Sequence, residues 1–329
     1  MNYIGSKHRL SAWIKSEIVN FVGRNLSQKV FADIFAGTGA IGKIFKSDVK
    51  YIISNDVEYY SYILNRNYIG NHKRIENREQ YIEHLNHLPP IEGFIFSNYC
   101  RGSGSGRNYF SDTNCKKIDS IRIEIEKLFQ NGEIGEDLYY FLLASLIESV
   151  DRVANTASVY GAFLKSLKRS AQKELFLEGA EYIESENSHL VFNLDSNQLI
   201  TKIEGDILYL DPPYNNRQYG ANYHLLNTIA KYQPFQPQGK TGLPPNYYRS
   251  QYCNRKRAKE SLEHLIQNAK FRYIFLSYSN EGLLKLDEVE TILSRYGKYS
   301  FRKKEYKRFI SSRRHSNRKT MEYLHILEK

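Results

Sequence analysis

Lys29-Val30-Phe31-Ala32-Asp33-Ile34-Phe35 runs straight into Ala36-Gly37-Thr38-Gly39, and the chain continues through residues 40–46 to Tyr51-Ile52-Ile53-Ser54-Asn55-Asp56. The first run is short, β-branched and aromatic, which predicts a strand. Residues 40–46 read as a helix, and the last run predicts a second strand ending at Asn55-Asp56. Strand, glycine turn, helix and strand make a βαβ unit, whose two strands lie parallel. Glycines in such a turn let the backbone approach a ligand closely. About 20 residues beyond the turn, Asp56 stands where a carboxylate can accept both hydroxyls of a ribose. Capping of the next helix is its other use. Dinucleotide enzymes carry a related turn, but the full G-x-G-x-x-G pattern is missing here and Gly42 extends the match only partly.

Working outward, Leu10, Trp13, Ile14, Ile18, Phe21 and Val22 recur at helical spacing over residues 6–22, with Ser6 as a cap. A helix is expected over 58–68. From about 70 to 190 the pattern changes to charged helices, among them 118–129 and 136–150. A glycine-rich loop, Cys100 to Asn108, carries Arg101 and Arg107. Strand signals return at 190–194, 207–210, 273–276, 306–310 and 322–327. The layout is therefore an α/β protein with one parallel sheet, formed by residues 1–69 and 190–329 and interrupted by a mainly helical insertion, 70–189. Residues 232–257, rich in Gln, Pro, Tyr and Arg, read as a long loop.

The run Ile207-Leu208-Tyr209-Leu210 ends at Asp211-Pro212-Pro213-Tyr214. Two prolines stop the strand and fix the turn. A carboxylate, a rigid turn and an aromatic ring are then presented together at the carboxyl edge of the sheet, where open α/β sheets bind ligands. An exocyclic amine on a nucleobase needs this pairing of acceptors with a flat stacking face.

Composition narrows the partner. The chain has 329 residues, 47 basic against 36 acidic side chains, a net charge of +11 and 27 tyrosines. Cations meet phosphates and rings stack on bases, so nucleic acid is the expected partner. No run of about 18 apolar residues suggests a membrane span, and the polar start, Met1 to Arg9, lacks the apolar core of a signal peptide. Cys100, Cys115 and Cys253 show no metal-type spacing, and no metal is expected. An odd, low cysteine count fits the reducing cytoplasm.

Taken together, these segments resemble the Dam-like, alpha-type DNA N6-adenine methyltransferases. Tyr3-Ile4-Gly5-Ser6-Lys7 is similar to the family's opening motif, which implies that Tyr3 and Lys7 lie near the methionine end of S-adenosyl-L-methionine. The turn from Asp33 through Phe35 to Gly37 and Gly39 matches the central cofactor loop. Asp56 falls at the ribose position, and Asp195, in Val191-Phe192-Asn193-Leu194-Asp195, resembles the residue that contacts the cofactor's adenine, with Asn193 as a competitor. Asp211 to Tyr214 matches the catalytic motif. The resemblance implies a Rossmann-like methyltransferase sheet, mostly parallel with an antiparallel C-terminal hairpin strand. It also implies methyl transfer to N6 of an adenine flipped out of double-stranded DNA. Asp211 and the Pro212 carbonyl would take the N6 hydrogens, and Tyr214 would stack on the base.

DNA contacts are expected in three places. Tyr219 and Tyr223, just after the catalytic motif, would form a lid. A second basic cluster, Arg313, Arg314, Arg318 and Lys319, sits between two strand-like runs as a hairpin tip that would meet phosphates. In the insertion, which by resemblance carries target recognition, Arg101, Arg107 and Asn108 would read base edges; Arg152, Asn155, Tyr160, Lys165 and Lys168 also fit. A bacterial restriction–modification role, with an endonuclease acting on the same site, and nucleoid association during catalysis complete the expectation. Three alternatives stay open: an RNA or protein amide methyltransferase, a catalytically silent DNA-binding module, and a nicotinamide-dependent dehydrogenase.

Overall fold

The computed structural model describes residues 7–307 and 319–329. Its chain divides into two compact units. One comprises Gly5–Asn65, Ser185–Gln218 and Tyr248–Lys329; the other contains Arg66–Glu184 and Tyr219–Tyr247.

The first unit holds a seven-stranded sheet: β1 (Val30–Asp33), β2 (Tyr51–Asn55), β3 (Leu190–Phe192), β4 (Glu204–Leu210), β5 (Lys270–Ser279), β6 (Lys298–Lys307) and β7 (Lys319–Glu328). Their order across the sheet is β3-β2-β1-β4-β5-β7-β6. The first five are parallel, and β7 runs antiparallel to both β5 and β6. Order reverses between β1 and β4, so the switch point of the parallel sheet lies at their carboxyl ends.

Both faces of the inner strands are covered, as parallel strands require. On one face Phe31 of β1 stacks on Phe45 of the helix Ala40–Phe45 at 4.4 Å, and Phe21 of the helix Ser11–Val22 meets Tyr273 and Phe275 edge-on. On the other, Ala32, Leu208, Leu210, Ile274 and Leu276 pack with Leu262, Leu265 and Ile266 of the helix Arg255–Asn268 and with Val289, Ile292 and Leu293 of Leu286–Leu293. Alternation of side chains along each strand sends neighbours to opposite layers.

Several boundaries differ from expectation. The strand predicted at 306–310 starts earlier, at Lys298, with its charged residues on the sheet's edge, where one side stays solvated; residues 308–310 lie outside the described residues. The expected loop at 232–257 ends sooner: Asn254 caps a helix through the N–H groups of Lys256 and Arg257, so Arg255, Lys256 and Arg257 open that helix. Residues 7–9 form a separate turn of 3₁₀ helix, while Ser6, the expected cap, lies outside the described residues.

The second unit is built on the helices Arg78–Asn86, Phe94–Tyr99, Asp112–Gln130 and Glu136–Val153, joined by His224–Lys231. Residues 219–247, which the sequence reading kept with the sheet, pack here. Cys100 and Cys115 are both free thiols buried in this unit. Among the described residues no helix is long and apolar enough to cross a membrane.

Candidate active site

Parallel pairing fixes where the chemistry gathers. Asp33, the last residue of β1, pairs with Tyr209 of β4, two residues before Asp211. Asp56 follows β2, the neighbour on the other side. Three carboxylates thus stand along one edge, two of them flanking the switch point.

Asp56 is held from both sides. Its Oδ2 accepts the Gly37 N–H at 2.8 Å and its Oδ1 the Glu58 N–H at 2.9 Å. It therefore both braces the glycine turn and starts the next helix, and each oxygen keeps a lone pair for a hydroxyl. Gly37 and Gly39 adopt φ of 52° and 73°, the left-handed region that disfavours other residues. Asn65, which sequence reasoning missed, donates to the Gly37 carbonyl at 3.0 Å and accepts from Ser54. Asn55, also missed, donates to the carbonyls of Ile34 and Leu194, tying the ends of β1, β2 and β3 together. Burial raises Asp56 to about 6.

Asp33 is buried, and its Oδ1 has no hydrogen-bond partner among the described residues. Burial pushes it well above the usual carboxylate range, the charges of Asp211 and Asp56 add to that, and the N–H groups of Phe35 and Gly42 pull it partly back. Such an atom is costly unless a donor completes it.

Asp195 caps a short helix, accepting from the N–H groups of Asn197 and Gln198, while its Oδ2 takes the Tyr248 hydroxyl at 2.6 Å. Asn193, its competitor, donates to the carbonyls of Asp56 and Val57. Phe35 stands edge-on to Tyr252 at 5.1 Å. Tyr248 escaped sequence reasoning because it lies in a loop with no local motif.

Asp211 leaves β4 into the proline turn, with Pro212 buried. Lys7, 5% exposed, donates from Nζ to Asp211 Oδ1 at 3.1 Å and to Glu322 Oε1 at 2.9 Å, and lies 5.3 Å from the Tyr214 ring. Lys7 is thus no surface lysine. Burial works to lower its pKa, but the carboxylates of Asp211 and Glu322 outweigh it and hold the ammonium charged. Asp211 itself is pushed up to about 7, by burial first, with Glu322 adding and Lys7 opposing. The Tyr214 ring packs edge-on to Tyr278 at 5.9 Å, and its carbonyl accepts the Leu283 N–H.

The expected DNA contacts fare unevenly. Tyr223 is fully buried in the helical unit, edge-on to Tyr160, so it is a core residue and not a lid. Tyr219 is half-buried and stacked on it. Asn108, Asn155 and Tyr160 are buried too, and the two amide NH2 groups donate to the carbonyls of Leu164, Lys165 and Asn108. Their burial ties them to the fold of this unit. Arg107 donates to the carbonyls of Asn98 and Gly239, and Arg101 is exposed. Arg152 pairs with Glu178, and the Lys168 ammonium donates to the Thr156 carbonyl. Tyr3, Arg313, Arg314 and Arg318 lie outside the described residues. Lys319 opens β7, opposite Lys307 of β6. Because Glu322 pairs with Ser279 at the carboxyl end of β5, the Lys307 end of β6 and the Lys319 end of β7 lie at the same sheet edge as Asp211.

Residues 3–292 match the model of the D12 class N6 adenine-specific DNA methyltransferases. The chain is 57% identical to the Type II methyltransferase M.NlaIII of Neisseria lactamica, over all of this chain and 99% of that protein. It is 38% identical to the Type II methyltransferase M.FokI of Planomicrobium okeanokoites, again over all of this chain but only 53% of that longer protein. Among solved structures it is similar to magnesium protoporphyrin IX methyltransferase of Synechocystis PCC 6803 with bound SAM, at a TM-score of 0.37 and 8% identity over 98% of this chain and 79% of that one. The fold is a Rossmann-like sheet with three carboxylates along the carboxyl edge of its parallel strands. The chain belongs to the D12 class N6 adenine-specific DNA methyltransferases, which depend on S-adenosylmethionine.

Proposed function

We propose that this chain methylates adenine at N6 within one specific sequence of duplex DNA, with the turn from Asp211 to Tyr214 as its catalytic centre. The observation that carries this reading is the unpartnered Asp33 Oδ1 beside two further carboxylates at the switch point. Three clustered acids call for a cation. S-adenosylmethionine supplies an ammonium group, a ribose diol and an electrophilic methyl on a sulfonium. Asp33 suits the ammonium, and the resemblance assigns the carboxylate to Tyr3 and to the N–H that Lys7 keeps beyond its bonds to Asp211 and Glu322. Asp56, which keeps a lone pair on each oxygen, suits the diol. Asp195 and Phe35 suit the adenine, and Gly37 and Gly39 let the backbone come close. A dinucleotide fits poorly, because its pyrophosphate would add negative charge to this cluster.

At the other end of the site, Asp211 and the Pro212 carbonyl accept the two N6 hydrogens. This draws the nitrogen's lone pair out of conjugation with the ring and aims it at the methyl group. Tyr214 stacks on the base. The protein's contribution is placement and electrostatics. Reaching this turn requires the adenine to leave the duplex, at a cost of a few kcal/mol.

Phosphate contacts are assigned to Arg313, Arg314, Arg318 and Lys319, and Arg101 remains the exposed candidate for base reading in the insertion. Neutralising Arg313 and Arg314 lowers the salt slope of DNA binding by about one per charge. The relatives' Type II names favour a bacterial restriction–modification setting, with a cognate endonuclease, action in the cytoplasm and association with the nucleoid. Incubation with labelled S-adenosylmethionine and separate DNA, RNA and protein substrates tests the reading: label appears as N6-methyladenine in duplex DNA. Label confined to RNA or protein would sink it. Long-read sequencing of DNA from a methylation-free host expressing the chain then gives the site.

A further inference from the structure

Glu322 lies on β7, opposite Ser279 of β5, and is completely buried. An isolated carboxylate there would be prohibitive. Here its Oε1 accepts from the Lys7 ammonium at 2.9 Å and from the Ser277 hydroxyl at 2.6 Å, and its Oε2 faces the Tyr306 hydroxyl at 3.4 Å. The same ammonium donates to Asp211 Oδ1 at 3.1 Å. Lys7 therefore hangs between a carboxylate fixed in the sheet and a carboxylate on the proline turn.

We infer that Glu322 is a positioning residue for methyl transfer, anchoring the Lys7 ammonium so that Lys7 in turn holds Asp211 Oδ1 and leaves Oδ2 to the adenine amine. The inference rests on the reading of Asp211 as the acceptor for N6. No sequence motif marks Glu322: it sits in an ordinary strand, Glu322-Tyr323-Leu324-His325-Ile326-Leu327, about 110 residues beyond the catalytic turn. A structural explanation alone is insufficient. Burying a second acid beside Asp211 works against ionisation of the catalytic group, so a fold seeking only stability would place a neutral side chain here. What the charge supplies is a fixed, fully charged Lys7.

The charged and titratable groups facing Asp211 are Lys7 from the 3₁₀ turn, Glu322 from β7, Asp33 from β1, Tyr209 of its own strand, Tyr214 from the turn and Tyr306 from β6. Of these, Lys7 and Glu322 act most strongly on its ionisation, in opposite directions and after burial itself. Removing the Glu322 charge leaves Lys7 with Asp211 as its one carboxylate partner and removes a repulsion.

The test is the pH profile of kcat/KM for duplex methylation. Asp211, raised to about 7, must be ionised to accept the amine hydrogens, so its titration is expected to set the acid limb of the native enzyme. With Glu322→Gln the limb moves down by roughly one pH unit, kcat falls about tenfold through loss of placement, and KM for DNA and for S-adenosylmethionine stays within about twofold. Ser277→Ala, which removes one hydrogen bond and no charge, drops kcat in the same direction by a smaller factor. It supplies the kcat readout should Glu322→Gln fail to fold. An unmoved limb in folded Glu322→Gln, or native kcat in Ser277→Ala should Glu322→Gln not fold, overturns the inference. Asp211→Asn separates the two failures: if that variant works at the native rate, the Asp211 reading itself has failed; if it is dead while Glu322→Gln is native, only the inference has.

Discussion

Asp33 in the sheet unit and Asp119 in the helical unit are both buried carboxylates, and the two regions treat them differently. Asp119 accepts the N–H groups of Gly93, Ile95 and Phe96 and the hydroxyl of Tyr232, all from its own unit. It caps the helix Phe94–Tyr99 and nothing is left over. Asp33 keeps an oxygen with no partner among the described residues, next to two other acids. A carboxylate satisfied by its own fold serves the architecture, and the one left short beside like charges is where the proposed function places a ligand. Residue type does not tell them apart; the state of their lone pairs does.

The sharpest way to break that contrast is at Asp211. Asp211→Asn should lower methylation by about 100-fold or more, while duplex binding persists. The same change should stabilise the protein. The folded pKa, about 7, lies above the unfolded value of 3.8, so the folded state holds its proton more tightly. That contribution is complete below about pH 4 and is lost as pH rises to 7. At pH 8 an uncharged Asn escapes a penalty of up to about 4 kcal/mol. Thermal melts at pH 5 and pH 8 check the sign: the gain in Tm should appear at pH 8 and shrink at pH 5. A loss of Tm at pH 8 would mean that Asp211 is structural.

Exchanging the test between the regions gives the next largest effect. Asp119→Ala should cost about 3 kcal/mol, since three helix N–H groups and a buried hydroxyl lose their acceptor. Each molecule that folds should still turn over normally. Asp33→Asn should do the reverse, weakening S-adenosylmethionine binding about tenfold or more with no loss of Tm. Denaturation curves and calorimetric titration on both variants check this; a large stability loss in Asp33→Asn would erase the distinction.

The sheet unit was legible in the sequence because backbone geometry placed its motifs. Once residues 29–56 form a βαβ unit, the carboxyl ends of β1 and β2 must share an edge, and Asp33 and Asp56 go there together. Asp211 joins them because its strand is parallel. Glu322, Asn65 and Tyr248 were hidden because long-range pairing, and no local pattern, brings them in. In the helical unit the same inference failed for a physical reason. Asn155, Tyr160 and Tyr223 are polar or amphipathic residues in a nucleic-acid enzyme, and they looked like DNA contacts. A mainly helical unit whose residues 154–184 carry no regular structure must satisfy that backbone with side chains. The Asn155 amide and the Tyr160 hydroxyl are engaged there, and burial, which a single sequence does not display, sets them apart from exposed residues such as Arg101.

A smaller effect sharpens the cofactor end. Asp56 sits near 6 before the donor binds. Ribose hydroxyls favour its charged form, so binding should release protons, and affinity should fall about tenfold as pH drops from 7 to 5. Asp56→Asn should bind weakly at both values and flatten the dependence. Calorimetry in two buffers of different ionisation heat measures the proton release, and an unchanged pH slope in the variant would move the ribose elsewhere.

The smallest effects fall on hydroxyls, where the two regions can be compared atom for atom. Tyr223→Phe in the helical unit keeps the buried ring and its packing on Tyr160, so methylation and Tm should stay near native, within about 1 kcal/mol. A lid tyrosine that met the base would instead show a raised KM for DNA. Tyr248→Phe in the sheet unit removes the 2.6 Å hydrogen bond to Asp195 Oδ2. One such bond to a charged acceptor is worth about 1.5–3 kcal/mol at most when lost, and the Asn197 and Gln198 N–H groups continue to hold the other oxygen. Donor affinity should therefore fall about three- to tenfold with kcat unchanged, because the adenine end of the cofactor is held without touching the reacting methyl. A drop in kcat at saturating donor would place Tyr248 with the catalytic turn and move the boundary between the two ends of the site.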